Sequence, residues 1–217
     1  MAHDQNDHFQ LERIALFSDA VFAIAITLLI IEVHVPPYEP GMTDADLAHY
    51  LDHLLPQFLG FLVSFFVIGQ FWLAHHRMFR YLRSCNRQLL ANNLLFLLPI
   101  VVMPFSTAFF SEFFRSGLRT PLAVYTGTIL LAGLLSYRLW HVALDPKNKL
   151  GPSVDKVALR YNGTRALLAP AIFVVVFLLS FINSTVAYAV APFILLSGWA
   201  VRRHFLRKHP KTIAPHL

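Results

Sequence analysis

The chain has 217 residues, 56% of them hydrophobic and only 14% charged, with a formal net charge of +6. Soluble domains run near ~45–50% apolar and ~25% charged, so a soluble core cannot absorb this excess and the composition is that of an integral membrane protein. The same numbers exclude disorder, and the single cysteine, Cys85, excludes an internal disulfide framework and a cysteine-only metal site.

Lys and Arg sit in short blocks between long uncharged runs, the pattern of membrane-protein loops rather than of a basic face for nucleic acid. A spanning helix needs about 20 apolar residues. Leu16 to Val35 supplies the first and carries only Asp19 and Glu32, giving a helix over about 14–35. The segment before it, with Asp4, Asp7 and Glu12 against Arg13 alone, does not read as a signal peptide. Leu54 to Leu73 is the uncharged centre of a second helix, extended to 44–76 because Thr43, Asp44 and Asp46 read as an N-cap with an acidic first turn. The third, 88–112, contains Pro99 and Pro104, which should bend it. Pro121 suits the first turn of a fourth, 120–144. The run from Ala166 to Val201 is uncharged and would make one helix about 54 Å long, far beyond a bilayer core. Asn183-Ser184-Thr185 breaks it into helices 164–182 and 185–206. The expected fold is all-α, one six-helix transmembrane domain over 1–217.

With both termini in the cytoplasm, 16 of the 18 Lys and Arg residues fall inside, leaving only Arg115 and Arg119 outside. The first outer loop, Pro36 to His53, then carries four acidic residues and no Lys or Arg.

Ionisable residues within a span are expensive and point to function. Asp19 lies about 140° around the helix from Ile24, whereas Ile24, Thr27, Leu28 and Ile31 share one face at i, i+3, i+4 and i+7. Taken alone, that stripe reads as ordinary helix packing, and Ser18-Asp19 as an interfacial pair or, for Asp19, a proton-relay carboxylate. His75 and His76 close the second helix on different faces and cannot chelate one metal from a single helix. A hydrogen-bonding role near the membrane surface suits one of them better than a metal or haem. Asn92 and Asn93 open the third helix, where an amide can satisfy Asp19 or a histidine across helices. The chain has no Gly-rich phosphate loop, no G-x-S-x-G, no H-E-x-x-H and no T-V-G-Y-G filter, so neither an enzyme nor a P-loop channel is expected.

Arg13 with Phe17-Ser18-Asp19, followed by Ala-Val-Phe-Ala-Ile-Ala-Ile-Thr-Leu-Leu, closely resembles the first helix of the transmembrane protein 175 family of potassium channels. Trp72 with His75-His76 resembles the end of that family's second helix. The resemblance implies a potassium-selective leak channel without a P-loop filter, a homotetramer in a prokaryotic plasma membrane whose four first helices line the pore. It implies constrictions at Ile24, Leu28 and Ile31, a selectivity role for Thr27, and K⁺ as the permeant ion with no cofactor. It assigns Arg13, Phe17, Ser18, Asp19, Trp72, His75, His76 and Asn93 to a network holding the pore helix. The helical geometry adds that Asp19 faces away from the axis if Ile24 faces it, and that Glu32 could concentrate cations at the outer mouth. The competing reading is a proton- or ion-coupled transporter using Asp19.

Overall fold

Local chemistry sets the helix ends. Thr43 begins the second helix with a capping box: its side chain accepts from the Asp46 amide, and the Asp46 carboxylate accepts from the Thr43 amide at 2.9 Å. Asn86 caps the third by accepting from the Leu89 amide at 2.7 Å. Pro121 occupies the first turn of the fourth. These signals give a computed structural model that describes residues 2–151, 156–182, 201 and 203–204. Among the described residues the helices are α1 (Ala2–Ile31), α2 (Asp44–Phe79), α3 (Arg87–Glu112), α4 (Thr120–Leu144) and α5 (Lys156–Leu179).

Three boundaries depart widely from expectation, the first being the start of α1 at Ala2 where about 14 was expected. Helix α1 stops at Ile31 instead of reaching 35, since a residue before proline is pushed out of the α region and Pro36-Pro37 follow Val35. Helix α5 starts at Lys156, eight residues before the expected 164, so its basic first turns extend the apolar stretch Gly163–Leu179. The expected helix 185–206 lies almost wholly outside the described residues. Pro99 and Pro104 sit within the continuous α3, and Pro56 and Pro170 within α2 and α5.

Among the described residues, four helices are long and apolar enough to cross a membrane: Phe9–Ile31, Asp44–Phe79, Arg87–Glu112 and Thr120–Leu144. The described residues thus form an all-helical fold with the length and apolarity of a membrane protein. Helix α3 lies at the centre, against α1, α2 and α4, and α5 packs on α4. The core runs from Phe22 and Leu29 of α1 through Ile68 and Phe71 of α2 and Phe96 and Ile100 of α3 to Tyr125 and Trp140 of α4. Near the junction of α2 and α3, the amides of Arg83 and Ser84 donate to the Leu150 carbonyl at 2.7 and 3.1 Å, tying two loops together.

Close approach of α4 and α5 depends on Gly133. A β-carbon there would collide with the ring of Pro170, which cannot rotate away, and would crowd the Ala166 carbonyl. Gly127, on the same helix, has open space at the corresponding position. Gly133→Ala should therefore lower the thermal unfolding midpoint, since overpacking costs about 1–3 kcal/mol. Gly127→Ala should leave it unchanged or raise it, because Ala is the better helix former by about 1 kcal/mol. Equal midpoints for the two variants would refute the close packing of Gly133 on Pro170.

Candidate functional site

Helix α1 buries Leu11, Ser18, Phe22, Ala25 and Leu29, a spacing that places them on one face against the bundle. The opposite face is uncovered: Ile24 is 59% exposed, Leu28 40% and Ile31 64%, and Thr27 is exposed beside them. The uncovered face is wider than the stripe, for Phe17, Ala20, Ala23 and Ile30 are exposed as well. Of the four long apolar helices, α1 is the least buried. The Thr27 hydroxyl donates into its own backbone, with the carbonyls of Ala23 and Ile24 at 3.0 and 2.9 Å. Its proton is thereby engaged, and the oxygen lone pairs remain for a cation on the exposed side.

On the covered side, one chain of hydrogen bonds crosses three helices. His75 of α2 donates from Nε2 to Asn93 Oδ1 of α3 at 2.8 Å. The Asn93 amide donates to Ser18 Oγ of α1 at 2.9 Å, and Ser18 donates to the Ile14 carbonyl at 2.8 Å. Each group uses its donor in the same direction, so the histidine is the Nε2–H tautomer. Ser18, His75 and Asn93 are all buried. Phe22, Phe79 and Phe96 surround the imidazole, with Phe96 stacked on it at 15° and a centroid distance of 5.8 Å.

Asp19 stands one residue further around α1 and accepts from the Trp72 indole of α2 at 2.8 Å. It is half-buried, and its cross-helix partner is the indole; of the two partners left open for the Asn93 amide, Asp19 or a histidine, the structure pairs it with His75. His76 is exposed, its ring 5.8 Å from that of Trp72. Arg13 and Phe17 do not join either set. Arg13 is exposed over the Phe9 ring of its own helix at 5.8 Å, and both residues line a groove of about 560 Å³ with Gln10, Cys85 and Arg87. Glu32 is half-buried and borders a separate cleft behind the end of α1. Among the described residues, no three His, Cys, Asp or Glu side chains are placed to hold a metal ion.

A second polar relay escaped the sequence. Tyr125 of α4 lies 2.8 Å from Ser64 of α2, which lies 2.8 Å from Thr107 of α3, and Thr107 donates to the Met103 carbonyl at 2.8 Å. With the Thr107 proton so committed, Ser64 donates to Thr107 and Tyr125 donates to Ser64. The only sequence signal was three hydroxyls inside apolar runs, which does not reveal that they meet.

Comparison with known proteins places this arrangement. A family profile described as the endosomal/lysosomal potassium channel TMEM175 matches residues 13–104. The chain is 34% identical over 191 residues to a potassium channel of Chamaesiphon minutus, covering 88% of this chain and 93% of that one. It is 33% identical over 180 residues to a potassium channel of Streptomyces collinus, covering 82% and 85%. A solved crystal structure, of a lysosomal potassium-selective channel TMEM175 homolog from Chamaesiphon minutus, superimposes with a TM-score of 0.72 at 31% identity, covering 89% of this chain and 97% of that one. With the matched residues spanning the exposed α1 face and the Ser18–Asn93–His75 relay, the chain belongs to the TMEM175 family.

Proposed function

We infer that the protein is a potassium channel in which four copies place α1 around a central pore. The observation that carries this reading is the uncovered apolar face of α1, centred on Ile24, Thr27 and Ile31, on the least buried of the long apolar helices. One helix cannot enclose an axis, whereas four copies can. A face wider than the stripe leaves flanks for neighbouring copies to cover. The relatives named as potassium channels supply the ion.

Four Ile24 side chains then form an apolar collar that stops ions by dewetting when narrow and acts through size and dryness, not by coordination. Thr27 lies about 4.5 Å along the axis from Ile24 at 1.5 Å per residue. Its outward lone pairs suit a partly dehydrated K⁺, with Leu28 and Ile31 as further apolar rings. The relay through Ser18, Asn93 and His75, with the Asp19–Trp72 bond, holds the pore helix to its own chain. That engagement, on the side away from the stripe, supports a positioning carboxylate over a proton relay through Asp19. Selectivity needs no P-loop, K⁺ is cargo and no cofactor takes part. The full reading includes six spans, both termini in the cytoplasm, and residence in the plasma membrane with Glu32 at the outer mouth.

Cross-linking tests the assembly. In a Cys85→Ser background, Ile24→Cys should form an inter-chain disulfide in native membranes under mild oxidation, while Leu29→Cys, on the buried face, should not. A particle with the mass of a single chain in both detergent and lipid nanodiscs would refute the assembly. Potassium flux into proteoliposomes under K⁺ and Na⁺ gradients tests the activity itself.

A further inference from the structure

His49 and His53 stand four residues apart within the first three turns of α2, and both side chains are exposed. That spacing puts them on one helix face, one above the other, whereas the adjacent His75 and His76 diverge. Their rings meet edge-on at 89° with centroids 4.6 Å apart, and the two Nε2 atoms are 3.2 Å apart. Arg115 donates to His53 Nδ1 at 3.5 Å, so the proton of His53 sits on Nε2 and is donated to His49 Nε2. The charged neighbours are Asp46, whose Oδ2 accepts from the Thr43 amide and hydroxyl at 2.9 and 2.7 Å, and Asp52, paired with Arg115 at 3.2 Å.

Two imidazole nitrogens turned on each other across so short a gap are spaced as they are around a shared metal ion. Zinc takes imidazole nitrogen at about 2.0–2.1 Å, so two such ligands at a tetrahedral angle stand roughly 3.3 Å apart. The pair already has that spacing, and histidines at i and i+4 are the pair by which a helix chelates zinc. Metal binding asks only that the His53 proton move from Nε2 to Nδ1. Arg115 then gives up its 3.5 Å contact and keeps the Asp52 carbonyl and carboxylate at 3.0 and 3.2 Å. Magnesium and calcium prefer oxygen ligands, so two imidazoles select against them.

We propose that His49 and His53 chelate one divalent transition-metal ion of the zinc, nickel and copper group through their Nε2 atoms. No third His, Cys, Asp or Glu converges on the pair among the described residues, so water completes the coordination. The ion pins two successive turns at the start of α2 where a single hydrogen bond holds them otherwise. Binding is independent of whether α1 lines a pore.

The test uses the untagged full-length protein in phosphatidylcholine nanodiscs, titrated calorimetrically with zinc chloride. Saturable binding is expected, weakened about tenfold or more by His49→Ala and by His53→Ala singly, a change equal to about 1.4 kcal/mol. His34→Ala, an exposed histidine in the loop after α1, should leave it unchanged. Combining His53→Ala with Leu51→His keeps the number of histidines but sets the two about 200° apart around the helix, and should not restore binding. Zinc should also raise the thermal midpoint of the native protein and not that of either single variant, since a ligand stabilises the state it binds. Undiminished zinc affinity in either single variant overturns the proposal, as does recovery of affinity with Leu51→His. So does magnesium chloride binding as tightly as zinc with the same losses, which would make the pair part of a general acidic surface.

Discussion

Ile24→Asn is expected to raise potassium flux through the reconstituted channel by about tenfold or more, the change given by lowering the barrier by ~1.4 kcal/mol. The substitution keeps the side chain near its original length and puts four amides where the proposed collar has only hydrocarbon. An apolar collar obstructs ions because it holds water poorly and offers nothing to replace a hydration shell. Amides remove both obstacles. They remove them for Na⁺ as well, so the preference for K⁺ should shrink along with the barrier. Thr27→Ala separates the two contributions: the apolar collar is untouched, while the outward lone pairs of Thr27 are lost. Conduction should persist with reduced selectivity. Unchanged flux and selectivity in a folded Ile24→Asn protein would move the constriction to Leu28 or Ile31.

Asn93→Leu should be the most damaging of the polar substitutions to stability. Asn93 accepts from His75 and donates to Ser18 in the buried interior, so its loss breaks the relay between three helices at once. Interhelical hydrogen bonds within membranes are worth about 0.6–2 kcal/mol each, which puts the cost of two near ~1–4 kcal/mol. The thermal unfolding midpoint in detergent should fall by several degrees. An unpaired buried donor costs more than a pair removed together. Adding His75→Phe to Asn93→Leu should therefore recover part of the loss, because a phenyl ring fits among Phe22, Phe79 and Phe96 and has no N–H to satisfy. Strict additivity of the two substitutions would show that the His75–Asn93 bond contributes nothing.

What the sequence revealed and what it withheld divide along the reach of the interactions. Thr43 with Asp46, and Pro121 in a first turn, act within one helical turn, and each was readable as a local pattern. The two-sided character of α1 was likewise a periodicity. Which side would be covered was not, since that depends on α2 and α3 meeting it. The pairing of Asp19 with Trp72 spans 53 positions and that of Ser18 with Asn93 spans 75. Such pairs depend on the register of whole helices, so a sequence can nominate Asn93 as an amide that needs a partner without choosing between Asp19 and a histidine. The same distance in sequence hid the Tyr125–Ser64–Thr107 relay. The misplaced end of α1 had a different origin: Pro36-Pro37 end the helix ahead of themselves, while hydropathy continued through Val35.

Among the described residues, the polar bonds from α1 to the rest of the chain fall in its first two-thirds: Gln10 accepts from Cys85 of the loop between α2 and α3 at 3.7 Å, Ser18 from Asn93 and Asp19 from Trp72. Beyond Asp19 the described contacts of its covered face are apolar, through Phe22, Ala25 and Leu29. The helix is thus a lever with its fulcrum near Ser18. At 1.5 Å per residue, Ile24 stands about 9 Å from that fulcrum and Ile31 about 20 Å. A small tilt therefore carries Ile31 roughly twice as far sideways as Ile24. In the proposed pore, the ring at Ile24 therefore shifts least for a given tilt, and the end of α1 at Ile31, with the smaller polar restraint, shifts most.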